Sequence, residues 1–418
     1  MRELTVRESP EPAETVPGDP RVAEFVERLQ TGEVDIAEEC DLIWASAREG
    51  EHRFLFALAC ELETSEAMRN SPLGQIGAIG SLISEIEEAV VSIPGADCVE
   101  TLFRFALLEP QNSLSHAPGR VDRQRLFASR IVLNQPRNAV LQVMAHHEND
   151  PRVEGLLDLL VHELVVQGYD QPNPMLERLN ARMRANGHPL GWLPLHVMPL
   201  ESLRADPRRT RAVHQYKVYG SKVQAPWGPY KSRGPVDAAE PRRGRRIRTF
   251  ETTSGDNLLR LCSAVINWHA ESKARIEGRV FVLSEPLAPD EVDRGLFLRL
   301  HNCEALELPR GPEAFHYERL EPAQALSILW LAAANGGELN QGCFGAYGRL
   351  RAWQSLGALA GASDFAHITE ISALAEKTTW FFFNARSSWF FRLGEEFGLL
   401  ALRPDGRSVA LLAASDSD

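Results

Sequence analysis

The residues best suited to chemistry sit inside the chain's densest aromatic run. Asn384, Arg386 and Ser387 lie between Trp380-Phe381-Phe382-Phe383 and Trp389-Phe390-Phe391. A guanidinium beside an amide and a hydroxyl can hold a carboxylate or a phosphate. The short contiguous apolar run predicts a buried strand over Trp380 to Phe383, followed by a loop at Asn384 to Ser387 and an amphipathic helix from about Ser388 to Phe397. Ser387 would cap that helix, whose free first-turn amides favour an anion. In open α/β sheets ligands bind at such strand-to-helix loops. The plainer reading makes Arg386 a salt-bridge partner and the aromatics core.

Tyr347 and Arg349 form a second candidate pair. They end the glycine-rich stretch from Gly336 to Arg349, which falls between two helical patterns. Amides opening the second helix could hold an anion there. The spacing matches neither the dinucleotide fingerprint nor the phosphate loop of nucleotide hydrolases. A tight helix–helix connection is the plainer account.

A third set is basic. Between Glu201 and Phe250 there are 13 Lys or Arg against four Asp or Glu, with Arg242, Arg243, Arg245 and Arg246 the densest group. Tyr216, Tyr219, Trp227 and Tyr230 are interleaved, as in strips that grip phosphates and stack on bases. The whole chain argues against nucleic acid: 45 basic and 57 acidic residues leave a net charge of −12. A solvated linker docking on the acidic remainder of the chain is the simpler expectation.

The six cysteines are Cys40, Cys60, Cys98, Cys262, Cys303 and Cys343, scattered without a C-x-x-C pair. Structural zinc needs four ligands at short spacings. Adjacent helical residues diverge by about 100°, so His146-His147 and His162-Glu163 make poor ligand pairs. We expect no metal, no cofactor and reduced thiols. Cys343 as a nucleophile would need His367 or His316 within reach, which spacing does not show. Nothing at the N-terminus reads as an export signal. A membrane span needs about 20 mostly apolar residues, and polar residues interrupt the aromatic run. No membrane partner is expected, and a cytoplasmic setting is.

The elements that must position these residues fall into two textures. Residues 1–18 are polar and proline-rich and read as a disordered tail. Residues 19–190 read as successive helices. One, Glu51 to Leu62, carries Phe54, Leu55, Leu58, Ala59 and Leu62 on a stripe. Another runs from Gln75 to Val91, and a third opens at Asp150-Pro151 and stops at Gly168. No fixed period emerges, so an irregular HEAT-like stack of helix pairs is expected, with a compact helical bundle as the alternative. Residues 191–248 form a proline-rich basic linker. Residues 249–418 read as a smaller mixed α/β domain. Its helices fall at Leu258 to Ala270, from Pro289, from Pro322 and at Gly345 to Leu359, with a strand at Val280 to Leu283. Its last feature is a β-hairpin across Arg403-Pro404-Asp405-Gly406-Arg407. The fold class expected is α+β, mostly helical.

Four pieces at the C-terminus, Gly345–Trp353, Trp380–Phe383, Ser388-Trp389-Phe390 and Leu402–Gly406, together resemble an uncharacterised bacterial family, typical of actinobacteria and known only as a domain of unknown function. The resemblance covers about the last 80 residues. It implies a bacterial cytoplasmic setting, and no activity, cofactor or catalytic residue carries over from it. The leading expectation is a non-enzymatic binding or regulatory protein with a protein partner. An enzyme acting on an anionic small molecule at the Arg386 and Gly342–Arg349 loops is the alternative. A nucleic-acid-associated protein using residues 204–248 is the third.

Overall fold

The computed structural model describes residues 19–31, 35–64, 73–108, 120–201, 247–272, 274–300, 302–307, 315–337, 342–385, 387, 389–390 and 395–416. The N-terminal tail, the Arg242–Arg246 group and Arg386 lie outside them. The chain forms two compact units. One holds residues up to Phe127 and Asn134–His146, the other Ala128–Leu133 and His147–Asp418.

The first unit is helical. Its helices are α1 (Pro20–Thr31), α2 (Ile36–Arg48), α3 (His52–Thr64), α4 (Leu73–Ser92), α5 (Ala96–Leu107), α6 (Arg120–Asn134, of which Ala128–Leu133 count with the second unit) and α7 (Arg137–His146). The expected stripe on α3 is buried throughout, as are Leu82, Ile86 and Val90 of α4. Packing follows sequence order: α1, α3, α5 and α7 contact one another in succession, and α2 packs on α3 and α4. Such i, i+1 and i, i+2 contacts are the mark of stacked helix pairs. Two polar residues tie the stack. Arg123 pairs with Glu63 at 2.8 Å and Glu87 at 2.9 Å and donates to the Phe105 carbonyl. Gln135 donates to the carbonyls of Val91 and Ile93 and accepts from Gly95. Each buried group thereby finds the partner that burial demands.

The second unit contains α8 (Glu154–Val166), α9 (Pro174–Ala185), α10 (Gly255–Leu261), α11 (Ile266–Ser272), α12 (Arg294–Arg299), α13 (Pro322–Asn335), α14 (Phe344–Ala360) and α15 (Ile368–Lys377). Its strands are β1 (Thr249–Glu251), β2 (Arg275–Leu283), β3 (Phe315–Leu320), β4 (Thr379–Ala385), β5 (Glu395–Leu402) and β6 (Ser408–Asp416). They form one sheet, β1-β2-β6-β5-β4-β3, in which every neighbour is antiparallel. The molecule is thus mostly helical α+β, as expected. An antiparallel sheet has no topological switch point, so the α/β argument for a ligand at the Arg386 loop lapses.

Both faces of the sheet are covered. One carries Phe281, Phe315, Phe381, Phe383, Ala385, Leu400, Leu402, Val409 and Leu411, packed with Phe297, Trp389 and Phe390. On the other, α13 contacts β4, α14 contacts β5 and β6, and Trp268 meets Phe397 edge-on at 6.0 Å. The hairpin turn forms as expected. Asp405 Oδ1 accepts from the amides of Arg407 and Ser408, and Leu402 pairs with Val409.

Several expectations are corrected. Phe397 lies on a strand, not on a helix after Ser388, because Phe397, Leu399 and Ala401 alternate with Gly398, Leu400 and Leu402 at strand period. The third early helix starts at Glu154, not Asp150-Pro151. Pro289 opens only a 3-10 turn. A 3-10 segment at Cys262–Val265 divides the helix expected over Leu258 to Ala270. Helices α8 and α9 belong to the second unit, where α8 packs on α14. Residues 191–201, assigned to the linker by composition, also pack there: Leu193, Met198, Leu200 and Glu201 are buried.

Candidate functional site

Three places in the second unit concentrate the polar or exposed residues that could act. The first surrounds the start of α14. Arg349, the sequence candidate, is 1% exposed and makes four hydrogen bonds. Its Nε donates to Glu201 Oε1 at 2.6 Å and one terminal nitrogen to Glu201 Oε2 at 3.0 Å. The same guanidinium serves the carbonyls of Pro194 at 2.9 Å and His196 at 2.7 Å. Glu201 also accepts from Trp353 Nε1 at 2.7 Å and from the Met198 amide at 2.6 Å. The glycine-rich stretch therefore ends in a buried, mutually satisfied ion pair. Such a pair gains from its geometry what it loses by desolvation.

Glu163 completes this end of α14. Its Oε1 accepts from the Ala346 amide at 2.7 Å, placing a carboxylate against the positive end of the helix. Gly345 permits that approach, since a Cβ there would fall 2.1 Å from Glu163 Oε2. Beside it His162 is 0% exposed. Burial, then neighbouring Arg349 and His188, push its imidazole down to about 3, while Asn180 pulls the other way. Tyr347 stands edge-on to His188 at 6.5 Å. The anion that the sequence reading sought at these amides is supplied by the chain itself, as Glu163, and Arg349 is taken by Glu201.

The second place is the end of the sheet. Asn384 lies on β4 opposite His316 of β3, and both are buried. Its neighbours Phe383 and Ala385 belong to the core on one face, so Asn384 takes the other. Glu395 lies opposite Asp416 across β5 and β6. Phe397, two residues along, meets Trp268 on the helix-covered face, and Glu395 shares it. Asn384 Oδ1 and Glu395 Oε2 are buried atoms without a hydrogen-bond partner. Ser387 caps no helix among the described residues, yet its hydroxyl accepts from the amides of Trp389 and Phe390 at 3.2 Å. Tyr347 and Arg349 thus belong to the α14 cluster, and Asn384 and Ser387 to the sheet end.

The third place escaped sequence reasoning. The loop between α14 and α15 carries Phe365 at 97% exposure. Gly361 caps α14 in the left-handed region at φ 86°. Arg260 of α10 then donates to the carbonyls of Ala362 at 3.2 Å and Ser363 at 3.1 Å and pairs with Asp364. Arg403 secures the helix end through the carbonyls of Ala358 and Leu359. Leu258 and Leu259, beside Arg260, are also exposed. The signal available in sequence was a lone Phe after Gly361-Ala362-Ser363-Asp364, a turn-forming string that gives it no core to enter.

Thiol chemistry is disfavoured where it can be judged. None of the six cysteines forms a disulfide. Burial pushes the thiols of Cys60 and Cys262 up to about 12 and that of Cys98 to about 11, and it raises Cys303 and Cys40 as well. Cys303 donates to Glu277 at 3.3 Å. Among the described residues, no three His, Cys, Asp or Glu side chains converge as a metal site, and no helix is long and apolar enough to cross a membrane.

No curated protein and no solved structure matches the chain. A family model does, over residues 37–418, so the kinship suggested by the last 80 or so residues extends through both compact units. The chain belongs to the family of unknown function DUF6183.

Proposed function

We propose that this chain is a non-enzymatic, cytoplasmic binding protein of bacteria, and that it docks a protein partner through the Phe365 loop. One observation carries the reading: an aromatic side chain, 97% exposed, is presented on a loop whose N-terminal side is held by hydrogen bonds from Arg260 and Arg403 and which the Ala366 amide closes on the Ser363 carbonyl. Isolated exposed apolar residues are ordinary on protein surfaces. A fully exposed Phe on a pre-ordered loop is a different case, because ordering costs oppose binding and here they are already met. Aromatic anchors that fill a partner's pocket dominate interface energies. The partner this fits is a protein with an apolar socket; exposed Leu258 and Leu259 immediately precede Arg260, which holds the loop.

Two further features support it. The polar residues that suggested an anionic substrate at Arg349 are engaged with Glu201 and backbone carbonyls. The stacked helix pairs of the first unit belong to an architecture that offers extended surfaces to other proteins.

A photo-crosslinking amino acid placed at Phe365 in the full chain tests the proposal in living cells. A discrete crosslinked species is expected at position 365, absent with the same group at exposed Glu24 and abolished by Leu259→Asp. Identical products from positions 365 and 24 would overturn it. Phe365→Ser should leave the melting temperature unchanged, since an exposed ring buries nothing to lose.

A further inference from the structure

The end of the sheet carries an arrangement that protein docking does not use. Asn384 is 4% exposed, yet its Oδ1 has no hydrogen-bond partner. Buried polar atoms are satisfied in the great majority of cases, and an exception calls for an explanation. Glu395, half-buried on the neighbouring strand, has a second such atom, Oε2. The β4–β5 register, which ends at Phe383↔Gly398, sets Asn384 beside Phe397 when continued by one pair. Glu395 is then the diagonal neighbour of Asn384 on the same helix-covered face, a separation of roughly 7–8 Å that one small group can bridge.

The chemistry of the pair is one-sided. A carboxylate accepts only, and an amide oxygen accepts only. Glu395 also stands directly opposite Asp416, so two carboxylates face each other across β5 and β6. A group that donates several hydrogen bonds and carries positive charge would answer both orphan acceptors and the charge of Glu395. A metal ion fits poorly, because no three ligating side chains converge among the described residues.

We infer that Asn384 and Glu395 form a binding site for a guanidinium or primary ammonium group. Those groups supply five and three donors respectively. The guanidinium is favoured, since its planar fork matches a carboxylate and an amide oxygen set side by side. The charge preference is opposite to that expected from the Arg386 loop. The group could come from a free small molecule or from an arginine side chain on a peptide.

The full chain should be titrated with methylguanidinium, methylammonium, acetate and a blocked Gly-Arg-Gly peptide, read by isothermal calorimetry. Saturable binding of methylguanidinium is expected, with weaker methylammonium and no acetate signal. Glu395→Gln and Asn384→Leu should each weaken methylguanidinium at least tenfold, with unchanged melting temperature for Glu395→Gln as the control for folding. Tighter binding of the peptide than of methylguanidinium would assign the site to a protein-borne arginine, and the reverse to a small molecule. Absence of saturable binding by the parent, or equal binding by parent and Glu395→Gln, would overturn the inference. So would binding of acetate alone.

Discussion

The start of α14 and the end of β4 both set polar residues among apolar ones, and they differ in how those residues are answered. At α14, Glu201 accepts from Arg349, Trp353 and the Met198 amide, and Glu163 accepts from the Ala346 amide. At the sheet end, Asn384 Oδ1 and Glu395 Oε2 accept from nothing. The first region spends its charge internally, and a charge so spent is a poor ligand site. The second keeps acceptors open, which weakens the fold locally and leaves something for a ligand to gain. The contrast teaches that burial of an arginine says little about binding until its donors have been counted.

The sharpest way to break this contrast is Arg349→Met. It strands the Glu201 carboxylate in the interior, and removing one partner of a buried pair costs about 3–5 kcal/mol. Thermal melts of the full chain should show early unfolding of the second unit. A melt like that of the parent would mean that the pair is dispensable and the contrast false.

A second effect is seen through pH. The imidazole of His162 titrates near 3 in the fold and near 6.5 when unfolded. Its folded pKa is depressed, so the unfolded chain binds the proton first as pH falls. Stability is unaffected above about 6.5 and is lost between there and about 3, by up to about 1.4 kcal/mol per pH unit. Asp158, raised by burial, opposes that trend. The expected result is therefore a difference: His162→Leu should lose less stability than the parent between pH 6.5 and 4.5. Parallel curves would show that His162 does not titrate as its burial requires.

Trp353→Phe is milder. It keeps one six-membered aromatic ring, trims the pyrrole half of a fully buried indole, and deletes one hydrogen bond to a charged acceptor, the last worth about 1.5–3 kcal/mol. Chemical denaturation should show a lower midpoint with an unchanged slope. Asn384→Leu should have the smallest effect, within about 1 kcal/mol and possible in either direction, because the amide oxygen has no partner to lose. A loss comparable to that of Arg349→Met would mean that Asn384 is held by the fold after all.

Much of the fold could be read from local pattern. Helices α3, α4, α13 and α14 follow from apolar residues at helical spacing, and the last hairpin from Pro404-Asp405-Gly406 between apolar runs. Strand β4 was legible because its aromatics are contiguous and all buried. Phe397 misled because Trp389, Leu393 and Phe397 also satisfy a four-residue spacing, and only cross-strand pairing with Ala414 decides the matter. The role of Arg349 was beyond reach, since its partner lies 148 residues away in a proline-rich segment that composition marks as linker. Phe365 went unnoticed because its importance is an absence of neighbours, which only a folded surface can express.

The strand order has a consequence for synthesis. Strand β6 sits between β2 and β5, so the sheet's centre is the last of its strands to be made. Arg275 must wait for Ser415 before β2 gains its inner neighbour. At about 5–20 residues per second, the nascent chain holds β2 without that neighbour for on the order of ten seconds. During that interval Phe281 and Val280 lack the strand that will lie beside them. A ribosome stalling between β5 and β6 would release two half-sheets, each with an open apolar edge, and chaperone demand should peak at that point of translation.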